Sequence, residues 1–286
     1  MPNAIIGFYS GYTSLDTDKG GLRIFVESFR KYNTTDLIII TLVLPIQCSE
    51  LIEFAQKNAC VIEPVYLDDV KTGNRWSCYK DVLTKSNYKD LQKILIMDMN
   101  DAMFTADPFT IITDNKLYCA CEKTIYDIEC SDNNLNSLNI NTTWMNQCYY
   151  LQLNKHINVL QESINNSNLS SYRSKNLIES KIYKQPIICS GTILGDYRSI
   201  MKLIDWGHKL LGADQGLLNI YVYLIAPDEC LVVPLFDSEI LTMDSINFDT
   251  ELKQDENGYI LNNNGKKFAI CHQIDRGCHL EHFMKL

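Results

Sequence analysis

The sequence predicts an α/β fold, a mainly parallel sheet flanked by helices, and three observations carry that expectation. Strand-like and helix-like patterns alternate from residue 4 to residue 97. The run LIIITLVL at 37–44 is apolar but for Thr41, as expected of a strand covered on both faces. The run KILIM at 93–97 passes straight into DMND, and ligands of open α/β sheets bind beyond the carboxyl ends of their strands.

Each element follows from its pattern. Residues 4–9 form a short apolar run of strand length, and LRIFVESFRKY at 22–32 places apolar residues at helical spacing. After the strand at 37–44 come a helix at 50–58, a strand at 60–66, a helix at 75–84 and the strand at 93–97. Such a βαβαβαβ order implies parallel strands joined by crossover helices. Residues 123–183 are rich in Asn and Ser with weak periodicity, and read as helices and loops decorating the sheet. A strand at 186–195 and helices at 197–211 and 214–224 follow. Residues 259–272, with Asn263-Asn264-Gly265 as the turn, read as a late β-hairpin. With no internal repeat and no long linker, one domain over 1–286 is expected.

Composition excludes several function classes. Of 286 residues, 46% are hydrophobic and 21% charged, enough apolar surface for a sizeable core. The net charge is −9, which argues against a nucleic-acid or anionic-membrane surface, since either needs a basic face. The N-terminal segment has no signal-peptide pattern and no apolar run spans about 18 residues, so no transmembrane segment and a cytoplasmic location are expected. Eleven cysteines at irregular spacings, without a C-x2-C pair, read as reduced and buried rather than as a zinc site.

Asp98 and Asp101 end an apolar strand. Carboxylates placed there serve a divalent metal, a general acid/base pair, or the cap of a following helix. Arg75 and Tyr79 lie four apart on one predicted helix and face the same way, so they can bracket Asp98. FYSGYTS at 8–14 offers aromatic faces, small hydroxyls and Gly11. Gly191 and Gly195 permit close backbone approach. His272 follows a late apolar run, with Arg276 four residues on. Asp214 and Gln215 open a predicted helix, where capping is the simplest role.

Five segments resemble one family. KILIMDMN is similar to the strand and D-x-D motif of GT-A fold glycosyltransferases of the glycogenin and bacterial lipooligosaccharide galactosyltransferase group. AMFTADPF resembles the run after that motif, CSGTILG (189–195) the donor-pocket segment, GADQGLLN (212–219) the D-Q-x-x-x-N segment, and FAICHQIDR (268–276) the late His segment. The resemblance implies a GT-A-like, Rossmann-like fold with 1–122 as nucleotide-binding half and 123–286 as acceptor and donor-sugar half. It further implies Mn²⁺ or Mg²⁺ on Asp98, Asp101 and His272, with Asn100 standing where the second acid of D-x-D falls. Phe8, Tyr9, Ser10 and Gly11 would hold base and ribose, and Arg75, Tyr79, Asp98, Asn100, Gly191, Thr192 and Arg276 would contact the donor. Asp214 would accept hydrogen bonds from sugar hydroxyls, with Gln215 near the anomeric carbon. The expected donor is a nucleotide-diphosphate sugar, a UDP-sugar first, and the acceptor a glycan, protein or small molecule, with retention of configuration. The alternatives are a sugar-1-phosphate nucleotidyltransferase and an inactive nucleotide-sugar-binding module.

Overall fold

A computed structural model describes residues 2–9, 14–17, 20–45, 48–66, 75–125, 182, 185–210, 213–243, 246 and 251–275. Its centre is a seven-stranded sheet. Strands β1 (Ala4–Tyr9), β4 (Leu37–Leu44), β5 (Cys60–Tyr66) and β6 (Lys93–Met97) run parallel, with β8 (Leu117–Ile125), β9 (Pro186–Asp196) and β10 (Cys230–Val233) continuing the sheet in the order β10-β8-β9-β6-β1-β4-β5. β9 is antiparallel to both β6 and β8, while β10 is parallel to β8. β9 therefore runs against the other six.

Apolar runs make such strands because both faces are covered. Successive side chains point to opposite faces, and the core divides accordingly. Ile6, Ile39, Ile94 and Ile96 join one cluster with Trp76, Leu203 and Leu217. Ile5, Ile38, Ile40 and Leu95 join another with Phe25, Phe29 and Phe104. Helices α1 (Leu22–Tyr32), α2 (Leu51–Lys57) and α3 (Arg75–Leu83) fall where their periodicity predicts. The start of α1 is set by Gly21, whose φ of 124° suits glycine alone and whose N–H donates to the Asn100 carbonyl at 2.7 Å. Helix α4 (Tyr197–Gly207) begins at Asp196, whose Oδ1 accepts from Ser199 N at 2.9 Å, the expected N-cap arrangement.

Three elements depart from the expected pattern. Helix α4 stops at Gly207 rather than running to 211. Helix α5 (Asp214–Ile220) passes at Tyr221–Ile225 into a π-helical turn. The late hairpin turn does form, since Asn262 N donates to Lys266 O at 2.8 Å and Leu261 bridges Lys267. Its arms then part. β13 (Ile260–Leu261) pairs with β12 (Lys253–Gln254), whereas β14 (Ile270–His272) leaves for a separate three-stranded sheet.

That second sheet positions the site. β14 lies between β11 (Ile240–Thr242) and β7 (Ala102–Phe104), antiparallel to β7. β7 begins one residue after Asp101, and its register sets His272 opposite Ala102. Ile274 N donates to the Asp101 carbonyl at 3.0 Å and Met243 N to the His272 carbonyl at 2.9 Å. Backbone pairing alone therefore carries a histidine from the end of the chain to the carboxylates at the end of β6. The cysteines among the described residues are free thiols, all buried except the half-buried Cys60. Among the described residues no helix is long and apolar enough to cross a membrane.

Candidate metal centre

Asp98 is the first residue beyond β6, and its N–H donates to the Gly191 carbonyl at 3.0 Å. From there its carboxylate meets two cationic partners. Arg75, opening α3, bonds Asp98 Oδ1 through Nη1 and Asp214 Oδ2 through Nη2. On the other side, His272 Nε2 lies 3.7 Å from Asp98 Oδ2 and 3.5 Å from Asp101 Oδ1. Asp98, Asp101 and His272 thus bring three ligand atoms within 4.8 Å of one another.

The electrostatics match a cation site. Burial works against charge on Asp98, but Arg75 and His272 outweigh it and hold the carboxyl far below the usual carboxylate range. Burial likewise opposes charge on His272, yet Cys189, Asp101 and Asp98 raise it well above an ordinary imidazole. Two buried polar atoms, Asp101 Oδ1 and His272 Nε2, have no hydrogen-bond partner among the described residues. Buried polar atoms normally have one. Two carboxylates and an imidazole, with such atoms converging, form a donor set that could hold a metal ion.

Gly191 makes the convergence possible. A Cβ on that residue would stand 2.4 Å from His272 Cε1, 2.5 Å from its Nε2 and 2.6 Å from Asp98 Oδ2. Any other side chain would occupy the space that the imidazole and carboxylate now share. Its neighbour two residues back, Cys189, contacts the same ring: Sγ lies 3.3 Å from His272 Nδ1. Cys189 carries no signal of its own in the sequence, since its place in an otherwise apolar strand shows only alternation with Gly191.

The remaining candidates take varied places. Tyr79 packs beside Arg75, with burial pushing its phenol well up. Phe8 meets Tyr79 edge-on at 5.4 Å between ring centroids, so together they wall the Arg75 side of the centre. Tyr9 points to the opposite core cluster, its hydroxyl donating to the Ser14 carbonyl at 2.8 Å. Asn100 offers its carbonyl to Gly21, and a Cβ on Gly20 would lie 2.6 Å from that oxygen; this carbonyl anchors the loop before α1. Thr192 is fully buried, its hydroxyl without a partner among the described residues. Gln215 Oε1 accepts from Ser190 N at 3.1 Å, while its Nε2 donates to Glu122 Oε1 at 3.1 Å. Ser10, Gly11 and Arg276 lie outside the described residues.

Asn219, which closes the D-Q-x-x-x-N pattern, is a clamp. Its Oδ1 accepts from Ile188 N and its Nδ2 donates to Ile188 O, each at 2.9 Å, with a further bond to Gln215 O at 2.8 Å. Those bonds lock α5 onto β9 and so set Asp214 and Gln215 beside Gly191. No protein-family model matches this chain, and no curated protein matches it either.

Proposed function

We propose that this protein is a metal-assisted glycosyltransferase, moving a sugar from a nucleotide-diphosphate donor, a UDP-sugar first, to an acceptor hydroxyl. The observation that carries the reading is the meeting of Asp98, Asp101 and His272 with Arg75 and Asp214 at the carboxyl edge of the sheet. The reading keeps one GT-A-like domain over 1–286, with its nucleotide half in 1–122.

A divalent ion held by Asp98, Asp101 and His272 would supply the positive charge that a departing nucleoside diphosphate needs. The other roles fall to the chain itself. Arg75 keeps its proton, because Asp98 and Tyr79 outweigh the burial that opposes its charge, so it remains a fixed cation facing the phosphates. The same guanidinium holds Asp214, orienting its carboxylate to accept hydrogen bonds from sugar hydroxyls. Gly191, having no side chain, leaves the room in which the His272 imidazole and the Asp98 carboxylate meet. Gln215, fixed between Ser190 and Glu122, presents a rigid amide rather than a mobile one.

Retention of configuration is part of the proposal. An inverting transferase needs a base opposite the leaving group, and Asp98 and Asp214 are both engaged by Arg75. The test is direct. A panel of nucleotide sugars is screened for thermal stabilisation with and without Mn²⁺, and hits are assayed for nucleoside diphosphate release. Stabilisation of several degrees by one donor, only with the cation, followed by turnover in the presence of an acceptor, is expected. Asp101→Ala should abolish metal-dependent turnover with the fold intact. Pyrophosphate release from a nucleoside triphosphate would assign nucleotidyl transfer instead, and donor binding without turnover an inactive module. NMR of the product's anomeric centre reads retention; an inverted product overturns it.

A further inference from the structure

Two residues of β9, Cys189 and Gly191, stand on the same face of the strand because side chains alternate. Both touch the His272 ring. Gly191 leaves room for Cε1 and Nε2, and Cys189 places its sulfur 3.3 Å from Nδ1. Ring and sulfur are both buried, each residue about 1% exposed. The opposite face of the strand at Ser190 turns instead to Gln215. So the imidazole lies along β9, held at one nitrogen by a thiol and facing Asp98 and Asp101 with the other.

We infer that Cys189 is a positioning residue for the metal centre: its sulfur accepts a hydrogen bond from His272 Nδ1–H and so fixes the tautomer that presents the Nε2 lone pair to a divalent cation. The inference rests on the metal reading of Asp98, Asp101 and His272. A neutral imidazole carries one proton, and a nitrogen that ligates a metal cannot keep it. Nε2 is the nitrogen that faces the carboxylates, at 3.5 and 3.7 Å. The proton therefore resides on Nδ1, and what Nδ1 meets is the sulfur. The reverse bond, S–H donating to Nδ1, would leave the proton on Nε2 and bar ligation. Metal-bound histidines donate their second N–H to an acceptor that orients the ring, and loss of that acceptor costs metal affinity. Here a sulfur takes that place, which also accounts for a thiol rather than an aliphatic side chain in this strand.

The experiment measures Mn²⁺ affinity by electron paramagnetic resonance, without substrate. Cys189→Ala removes the acceptor and should weaken Mn²⁺ binding by about 10- to 100-fold while the far-ultraviolet circular dichroism stays unchanged. Cys189→Ser restores an acceptor and should recover most of the loss, which a filler role for the sulfur would not predict. A second readout needs no substitution: in ¹⁵N-histidine-labelled, Mg²⁺-saturated protein, His272 should carry its proton on Nδ1. Wild-type affinity in Cys189→Ala, or an unprotonated Nδ1 in the loaded protein, overturns the inference and leaves the metal reading standing. Failure of the wild-type protein to bind Mn²⁺ or Mg²⁺ at all overturns both.

Discussion

At the scale of single residues, the centre depends on what is missing as much as on what is present. Gly191 contributes no atom to the metal set, yet a methyl group there would overlap His272 and Asp98 at 2.4–2.6 Å. Its backbone has no left-handed φ, so the demand is for space and not for conformational freedom. Overpacking of this kind costs about 1–3 kcal/mol, and the imidazole and carboxylate are what must move. Gly191→Ala should therefore lower Mn²⁺ affinity by more than about tenfold, since ligands displaced from the metal lose it, while secondary structure by circular dichroism is retained. Mn²⁺ titration decides it, and an unchanged affinity would show that the ligands can relax together. The sequence marks Gly191 as a place of close approach and Asp98 and Asp101 as strand-end carboxylates, and the family resemblance adds His272 as a candidate third ligand. It does not reveal Cys189, because a buried thiol is equally well explained as a small hydrophobe. The Arg75 links are half legible: the sequence expects Arg75 and Tyr79 to bracket Asp98, and Arg75 does bond it, but no local pattern says that the same guanidinium also reaches Asp214.

At the scale of elements, legibility follows the purity of the pattern. β1, β4 and β6 are apolar runs but for Thr41 and the opening Lys93, β5 is one broken by Glu63-Pro64, and the observed limits of all four match those runs. β8 is not legible because LYCACEKTI mixes small thiols, a Tyr and charges, and leads into an Asn-rich stretch. The expected helical span 214–224 is nearly the observed one, but the change to a π-helical turn at Tyr221 is not legible because LLNIYVYLI is apolar nearly all round, so periodicity has nothing with which to separate an α-helix from a π-turn. β7 and β11 are three residues each and too short to read, while β14, expected as a hairpin arm, pairs with them instead, and that pairing brings His272 to Asp101. Two buried side chains tie α5 to β9, Gln215 at Ser190 and Asn219 at Ile188. Asn219 is fully buried and satisfies both backbone groups of Ile188. Asn219→Ala leaves that N–H and C=O unpaired at about 1–3 kcal/mol each, so unfolding by urea should register a loss of about 3 kcal/mol. Because α5 carries Asp214, the variant should also weaken any donor that stabilises the wild-type protein. A loss below about 1 kcal/mol would mean that water or a neighbouring group replaces the amide.

At the scale of the whole molecule, net charge and site charge act together. A chain with net charge −9 repels a diphosphate and draws in divalent cations, so a phosphate-bearing donor should stabilise the protein only when the cation is present. Proton binding at His272 competes with that cation. His272 stands above its ordinary value, because Cys189, Asp101 and Asp98 outweigh the burial that opposes its charge. A group raised on folding stabilises fully below its unfolded value, about pH 6.5, and that contribution fades as pH rises through the folded value. Without metal, the imidazolium between two carboxylates therefore helps most on the acid side. His272 must give up its Nε2 proton before it can ligate a cation, so affinity grows with pH. The rise in Tm caused by a fixed Mn²⁺ concentration should accordingly increase from about pH 6 to about pH 8. At roughly 100-fold excess over Kd the stabilisation is about 2.7 kcal/mol, or about 5 °C for a chain of this size. Scanning fluorimetry across that range reads the slope directly. In His272→Gln, which ligates poorly and does not titrate, both the Mn²⁺ shift and its pH dependence should vanish. A shift that stays constant with pH in the wild-type protein, or persists in His272→Gln, would take His272 out of the ligand set and leave the cation to the two carboxylates.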